Sequence, residues 1–153
     1  MPKERAILNQ IKTQLADIDA TGSYTHDLSG TDQIKIGGKF SPDRLPAAYL
    51  WAISTTTSQT PGRTLLSKYS RTMTAQIEMW VGCNSADSED IHLATLDAQN
   101  DVMLALEADR TLAGAIDDLE VNGTTYDGEA FDSPGLGVAV LQLRMLYSET
   151  AGS

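Results

Sequence analysis

The segment "KYSRTMTAQIEMWVG", residues 68–82, constrains the fold of this chain more than any other stretch. Side chains of a strand point alternately to its two faces, so apolar residues on one parity predict a half-buried strand in an antiparallel sheet. Trp80 interrupts the polar parity and is expected to be covered by a loop or helix or, alternatively, by a neighbouring subunit. The residues of the apolar parity are Tyr69, Met73, Ala75, Ile77, Met79 and Val81.

Further strands are expected on both sides of this segment. Two short candidates are "SYTHDL" and "DQIKIGG", and a strand around Ala48 to Ser54 follows a proline-rich loop. The polar stretch "STTTSQTPGRT", residues 54–64, predicts a long exposed hairpin loop that is either simply flexible or ordered by a partner.

The last third of the chain predicts more strands. In "LEVNGTTYDGEAFDS" the pair Asn122-Gly123 indicates a hairpin turn between two strands. The segment "PGLGVAVLQLRMLYSE" is apolar on both faces at its start, which predicts a central strand.

Two segments have helical periodicity. In "PKERAILNQIKTQLADI" apolar residues recur at helical spacing, and the pattern ends near Thr21 and Gly22. A second helix is expected from about Ser88 to Glu107, with one stripe formed by Ile91, Ala94, Ala98, Val102, Ala105 and Leu106. A helix that lies on a sheet needs only one such stripe, yet this helix has a second patch. That patch must meet the first helix, another subunit, or both, and it consists of Leu93, Leu96, Met103 and Leu104.

The order of helix, strands, helix and strands predicts an α+β fold with an antiparallel or mixed sheet of about four to six strands and two main helices packed on it. Residues 1–150 are expected to form a single domain, with 151–153 as a frayed tail. No apolar run approaches the roughly 18 residues of a membrane span, and the lone Cys83 cannot form an internal disulfide. We therefore expect a soluble protein that stays in the cytoplasm where it is made.

The charge of the chain is unevenly distributed. Residues 1–83 contain nine Lys/Arg and seven Asp/Glu, whereas residues 84–153 contain two and fourteen, within a formal net charge of −10. Such a chain is a poor duplex-DNA binder, because neutralising phosphates requires a basic surface. The asymmetry is either a plain solvated face or a feature that sets the polarity of an assembly.

Catalytic motifs are scarce. His26 and His92 have no Cys, His or Glu at metal-ligand spacing, and the sequence contains no Gly-x-Ser-x-Gly elbow or phosphate-binding glycine loop. The acidic stretch "ADRTLAGAIDDLEVNG" is interpreted as a helix end, a turn capped by Asp109 with Gly114 where the chain reverses, and a strand start. We expect no enzymatic activity, no cofactor and no metal.

Several segments together resemble the tail terminator and tail-completion proteins of tailed bacteriophages. The resemblance rests on the amphipathic first helix, the strand "RTMTAQIEMWVG", the segment "DVMLALEADRTLAGAIDDLEV" and the last strand ending in Tyr147. It covers roughly residues 3 to 148 and contains no catalytic signature.

The resemblance implies a structural virion protein at the junction of tail and neck, assembled in the host cytoplasm. Such a protein forms a ring, commonly a homohexamer, on the last ring of the tail tube, stops tube polymerisation and offers a surface for head-tail joining. Its partners are copies of itself, the tail tube protein and the head-completion (stopper) protein, with DNA only passing through the lumen and no membrane. An acidic lumen would repel the DNA backbone and let the genome slide through.

Besides a monomeric adaptor, two further interpretations stay open. One is another role in the same virion, as a head-completion or neck connector protein or as a tail-tube subunit. The other is an acidic metal-dependent enzyme that uses Asp109, Asp117, Asp118 and Glu120. Under the terminator interpretation, the candidate subunit or partner interface consists of Trp51, Thr56, Gln59, Arg63, Trp80, Leu93, Leu96, Met103, Leu104, Asp109 and Arg110.

Overall fold

A computed structural model of the chain describes residues 2–30, 32–37, 45–58, 68–82, 88–127 and 135–150. The architecture is α+β, a five-stranded mixed sheet with two helices packed on it, as the sequence predicts. In chain order the elements are α1 (Lys3–Leu15), β1 (Ile34–Ile36), β2 (Ala47–Ser58), β3 (Lys68–Gly82), α2 (Ser88–Glu107), β4 (Asp118–Asp127) and β5 (Leu136–Thr150).

The strand order in the sheet is β1-β2-β3-β5-β4. Only β1 and β2 are parallel, and the other neighbours pair antiparallel. The prediction of a central last strand is confirmed, because β5 pairs with β3 along its whole length and with β4 from Gly137 to Leu146.

Both helices pack on one face of the sheet, and the main core lies beneath them. The apolar parity of β3 points into this core, where Met73, Ala75, Ile77 and Met79 are fully buried. In α1 the buried residues Ile7, Ile11 and Leu15 follow helical spacing, so one stripe of the helix faces the sheet. The core is therefore the layer between the helices and one sheet face.

The prediction of a loop at residues 54–64 is wrong for residues 54–58. Strand β2 continues to Ser58, with a bulge between Ala52 and Ser54, and Thr55 to Thr57 pair with β3. Threonine suits a pleated strand, so a polar Thr-rich run indicates an exposed strand as readily as a loop. The rest of the predicted loop, 59–64, lies outside the described residues.

The predicted hairpin at Asn122-Gly123 is also wrong, because β4 runs straight through both residues. Gly123 lies under α2, and a Cβ atom there would come within 2.6 Å of the side chain of Gln99. The glycine therefore permits close packing of the helix on the strand rather than a turn. The strand predicted at "SYTHDL" is replaced by a loop with a single bridge between Asp19 and Asp27.

None of the helices among the described residues is long and apolar enough to cross a bilayer.

Candidate assembly surface

The outer side of α2 exposes two of the four leucine and methionine residues of its second patch. Leu93 is 52% exposed and Leu96 is 39% exposed. The other two are covered within the chain: Met103 is half-buried against the main core, and Leu104 is half-buried beside the loop that follows α1. The helix thus presents an apolar spot to solvent at Leu93 and Leu96 only.

The two helices carry opposite charge and lie toward opposite edges of the sheet. Helix α1 contacts β1 and β2 and contains Lys3, Arg5 and Lys12 against one carboxylate, Glu4. Helix α2 contacts β4 and β5 and contains five carboxylates with no Lys or Arg. The charge asymmetry of the sequence therefore becomes a difference in charge between the two helices, with Lys3 at the start of α1 lying against Tyr147 and Ser148 of β5.

The turn between α2 and β4 is built around Asp109, as predicted. Its Oδ1 accepts hydrogen bonds from the Thr111 backbone N–H at 3.1 Å and the Thr111 hydroxyl at 2.7 Å, and its Oδ2 accepts one from the Ala113 N–H at 2.9 Å. The hydroxyl of Thr111, followed by the N–H groups of Ala113 and Thr111, holds the pKa of this carboxyl below its ordinary value. The chain then reverses through Gly114 at φ 81°, a left-handed conformation that favours glycine.

Arg110 closes the start of β4. Its Nη2 donates a hydrogen bond to the carbonyl oxygen of Leu119 and lies 3.6 Å from Oδ1 of Asp118. Because Leu119 lies on an edge strand, its carbonyl oxygen points away from the sheet, and the guanidinium gives it a hydrogen-bond partner there.

The acidic stretch has structural partners for each of its carboxylates. Besides Asp109 and Asp118, Asp117 Oδ2 accepts a hydrogen bond from the Ser148 hydroxyl, and Glu120 lies 3.9 Å from Arg144. In the part of the chain that the structure describes, no three His, Cys, Asp or Glu residues are grouped so that they could hold a metal ion.

The two tryptophans lie on the sheet face opposite the helices, at one end. Trp80 is 3% exposed and packs with Ala47, Tyr49 and Val138, while Trp51 is half-buried at the border of this cluster. Burial within the single chain leaves almost none of the Trp80 indole for a partner. Trp51 keeps part of its surface exposed.

Of the three remaining candidates, Thr56 lies in the described part of β2, near its far end. Thr56 is exposed and pairs with Thr72 of β3. Gln59 and Arg63 lie outside the described residues. The structure therefore brings Asp109 and Arg110 together at one edge of the sheet and separates them from Thr56, which lies near the other edge.

One buried carboxylate was not predicted from the sequence. Asp101, on α2, is fully buried and accepts hydrogen bonds from the backbone N–H groups of Thr25 and His26, with His26 Nδ1 3.1 Å away. Its place among the buried residues of α2, close in the helix to Ala98, Val102 and Ala105, was the only local signal. An acidic residue within a buried stripe requires such donors.

A second group of contacts joins the two ends of the chain. The Tyr147 hydroxyl donates to Glu4 Oε1 at 2.8 Å, and Arg71 Nη1 lies 3.5 Å from the same oxygen and 3.0 Å from Glu149. Burial, followed by the hydrogen bond to Glu4, raises the pKa of Tyr147 to about 12. The pKa of Glu4 is held below its ordinary value by its own backbone N–H, by Tyr147 and by Arg71.

Compared with models of known protein families and with curated protein sequences, the chain matches none.

Proposed function

We propose that the protein is a structural virion component of a tailed bacteriophage that caps the tail tube as a ring, ends tube polymerisation and offers the surface for head-tail joining. The observation that carries the proposal is the segregation of charge: a cationic helix near one edge of the sheet and an acidic helix near the other. A closed ring requires a heterologous interface, in which two different surfaces of one chain meet. The opposite sides of this molecule supply two such surfaces.

The apolar spot on α2 adds to the argument. Leu93 and Leu96 are exposed on a helix that carries only acidic charged groups. An exposed apolar spot rimmed by charged groups is typical of a contact surface, because burial stabilises the apolar area and the rim selects the partner. On this proposal the partner side is the cationic side of the next copy, and a hexamer is the expected ring.

The acidic residues also suit a passage for DNA. Negative groups repel the phosphate backbone, so a genome would pass such a ring without binding to it. The further partners on this proposal are the tail tube protein on one side of the ring and the stopper protein on the other. The site of action is the tail-neck junction of the virion, after assembly in the host cytoplasm.

The rival enzyme interpretation receives less support from the contacts. Asp109, Asp117, Asp118 and Glu120 bind a turn, a serine hydroxyl and two arginines rather than a common centre. A thermal shift series with Mg²⁺, Mn²⁺, Zn²⁺ and Ca²⁺ tests that interpretation directly, because a resident metal would raise the melting temperature. We expect no shift with any of the four ions.

The decisive experiment is electron microscopy of particles assembled without this protein. We expect tails of irregular length and filled heads left unjoined to tails. Tails of normal length joined to heads would contradict the proposal. Tails of uniform length beside unjoined heads would instead indicate a connector protein of the neck, and the absence of any tail would indicate a tube subunit.

A solution experiment tests the apolar spot. The double variant Leu93→Ser/Leu96→Ser should fold normally but should no longer bind the ends of purified tail tubes. Leu146→Ser is a matched control, because Leu146 is 44% exposed on the opposite sheet face, away from α2. Equal binding by the wild-type protein, the double variant and Leu146→Ser would show that this part of α2 does not contact the tube.

A further inference from the structure

Among the described residues, strand β2 has a free edge beyond the end of β1. Strand β1 pairs with β2 only at Ala48 to Leu50, whereas β2 continues to Ser58. Residues 52–57 are all exposed, and within the described ranges nothing pairs with their outer side. This stretch, "AISTTT", has no charged residue or proline, the usual groups that keep an edge strand from pairing.

The hydrogen bonds of β1 show which backbone groups of β2 point outward. The Ala48 N–H donates to Gln33 O, and Leu50 O accepts from the Gly37 N–H, so these two residues turn away from β3. They lie opposite Met79 and Ile77. Alternate residues of an antiparallel strand turn their N–H and C=O to the same side.

The same reasoning carries across the bulge. Thr55 lies opposite Met73, which has the parity of Ile77 and Met79 in β3, so Thr55 also turns its backbone groups outward. Thr57 follows Thr55 in parity. Thr56, opposite Thr72, turns its N–H and C=O toward β3 instead.

The other edge of the sheet is β4. The outward carbonyl of Leu119 is taken by Arg110, which identifies the odd residues of β4 as those that face outward. Val121, Gly123 and Thr125 therefore present outward N–H and C=O groups. Gly123 is exposed, and Val121 and Thr125 are partly exposed.

We infer that the free edge of β2, around Thr55 and Thr57, pairs with the β4 edge of a second copy of this chain, around Val121 to Thr125. Resting on the proposed ring, this inference names the strands that join its subunits. Within one chain β2 and β4 run in opposite directions, because three antiparallel pairings separate them. A rotation about an axis along the strands therefore places β4 of the next copy antiparallel to β2, and the sheet continues from subunit to subunit.

Charge favours this occupant over a second β2 edge. Pairing β4 with β2 brings the acidic α2 of one copy toward the cationic α1 of the next, since these helices lie over the two edges concerned. Pairing two β2 edges would bring two cationic helices together, and like charges across an interface are unfavourable.

A pair of proline variants tests the β2 edge. Thr55→Pro removes an outward N–H and should leave the melting temperature of the monomer nearly unchanged while abolishing oligomers in sedimentation velocity. Thr56→Pro removes an N–H that points to β3 and should lower the melting temperature instead. Oligomers that persist in a folded Thr55→Pro protein would overturn the inference.

Cross-linking identifies the partner strand. In a Cys83→Ser background, chains carrying Thr56→Cys are mixed with chains carrying Glu120→Cys, Asn122→Cys or Thr124→Cys, all on the sheet face opposite the helices. One of the three mixtures should form a disulfide-linked dimer, because facing cysteines on paired strands lie within bonding distance.

The controls separate this inference from the ring proposal. Dimers formed by Thr56→Cys chains alone would indicate β2–β2 pairing and overturn the inference. An oligomer without cross-links in any mixture would overturn the strand assignment while leaving the ring standing. A chain that stays monomeric at high concentration and on purified tail tubes would overturn both.

Discussion

The hydroxyl of Tyr147, near the end of β5, donates a 2.8 Å hydrogen bond to the carboxylate of Glu4, in the first turn of α1, across 143 residues of sequence. Tyr147 is 1% exposed, and Lys3 Nζ lies 5.6 Å from the centroid of its ring. This contact fixes the beginning of α1 against the end of the longest strand pair.

Replacing Tyr147 by phenylalanine should remove this hydrogen bond and keep the ring packing. We expect a loss of roughly 0.5–1.5 kcal/mol in the free energy of unfolding, since a net hydrogen bond contributes about that much and Glu4 retains Arg71. Urea denaturation at neutral pH measures the change. Tyr147→Ala is the contrasting variant and should cost roughly 3–5 kcal/mol, as for other large aromatic truncations in a core.

At alkaline pH the Tyr147→Phe variant should become more stable than the wild-type protein, which is the reverse of their order at neutral pH. The pKa of Tyr147 is raised by burial and by Glu4 to about 12, above its ordinary value of 10.0. A raised pKa means that the stabilisation is present in full below pH 10 and is lost as the pH rises through about 12. The wild-type protein should lose up to roughly 3 kcal/mol relative to the Phe variant, at 1.36 kcal/mol for each pKa unit. Denaturation of both proteins at several pH values from about pH 9 to pH 12 measures this change. A difference in the free energy of unfolding that stays constant over this range would contradict the assignment.

Among the carboxylates in the described residues of α2, Asp101 should cause the largest loss of stability when it is replaced by alanine. Asp101→Ala leaves the buried N–H groups of Thr25 and His26 without their acceptor, and each stranded buried donor costs about 1–3 kcal/mol. We expect a loss of roughly 2–4 kcal/mol by chemical denaturation. Asp97→Ala, at an exposed position of the same helix, serves as the control and should stay within about 0.5 kcal/mol of the wild type.

Two glycines beneath α2 should differ in how they tolerate alanine. At Gly137 the new Cβ would come 2.1 Å from Oγ1 of Thr95, whose hydroxyl is buried and donates to Ile91 O. At Gly123 it would meet the end of the Gln99 side chain, which can move aside. Gly137→Ala should therefore cost roughly 1–3 kcal/mol, and Gly123→Ala less.

The rescue by a second substitution provides the check. Adding Gln99→Ala to Gly123→Ala should recover most of the lost melting temperature, because the three atoms nearest to the new Cβ all belong to that side chain. Adding Thr95→Ser to Gly137→Ala should recover little, since the hydroxyl stays in place. Equal rescue in both pairs would contradict the packing described for α2.

Local patterns in the sequence were sufficient for elements whose burial follows a simple period. The alternation in 68–82 and the stripe in 88–107 predict β3 and α2 with their bounds, because one face of each element is buried. The Asp109 turn was also predictable, since its hydrogen bonds join residues two and four positions apart.

Long-range contacts gave no comparable signal. The Asp101 bond to His26 spans 75 residues. The local pattern of β5 indicates a central strand, but which two strands flank it depends on pairings that no local pattern encodes. At Gly123 the local signal was misleading, because a glycine between polar residues indicates a turn unless the position of Gln99 is known. The candidate surface on α2 was half predictable: the second apolar patch was visible, but which of its members the fold covers was not.

On the proposed interface, ionic strength and charge reversal should change assembly in a defined way. Opposite charges on α1 and α2 of adjacent copies attract over a screening length that falls from about 10 Å at 0.1 M salt to about 3 Å at 1 M. The oligomer should therefore dissociate more readily as salt is raised, as measured by sedimentation velocity.

Lys12→Glu and Asp97→Lys, both at exposed positions, should each weaken assembly without unfolding the chain. An equal mixture of the two single variants should regain part of the assembly that each loses alone, because copies of the two variants that alternate around the ring place opposite charges at every interface. The double variant Lys12→Glu/Asp97→Lys should regain part of its assembly for the same reason, because the two sides are again opposite in charge at these positions. Assembly that is insensitive to salt and to both reversals would show that charge does not set the polarity of the ring.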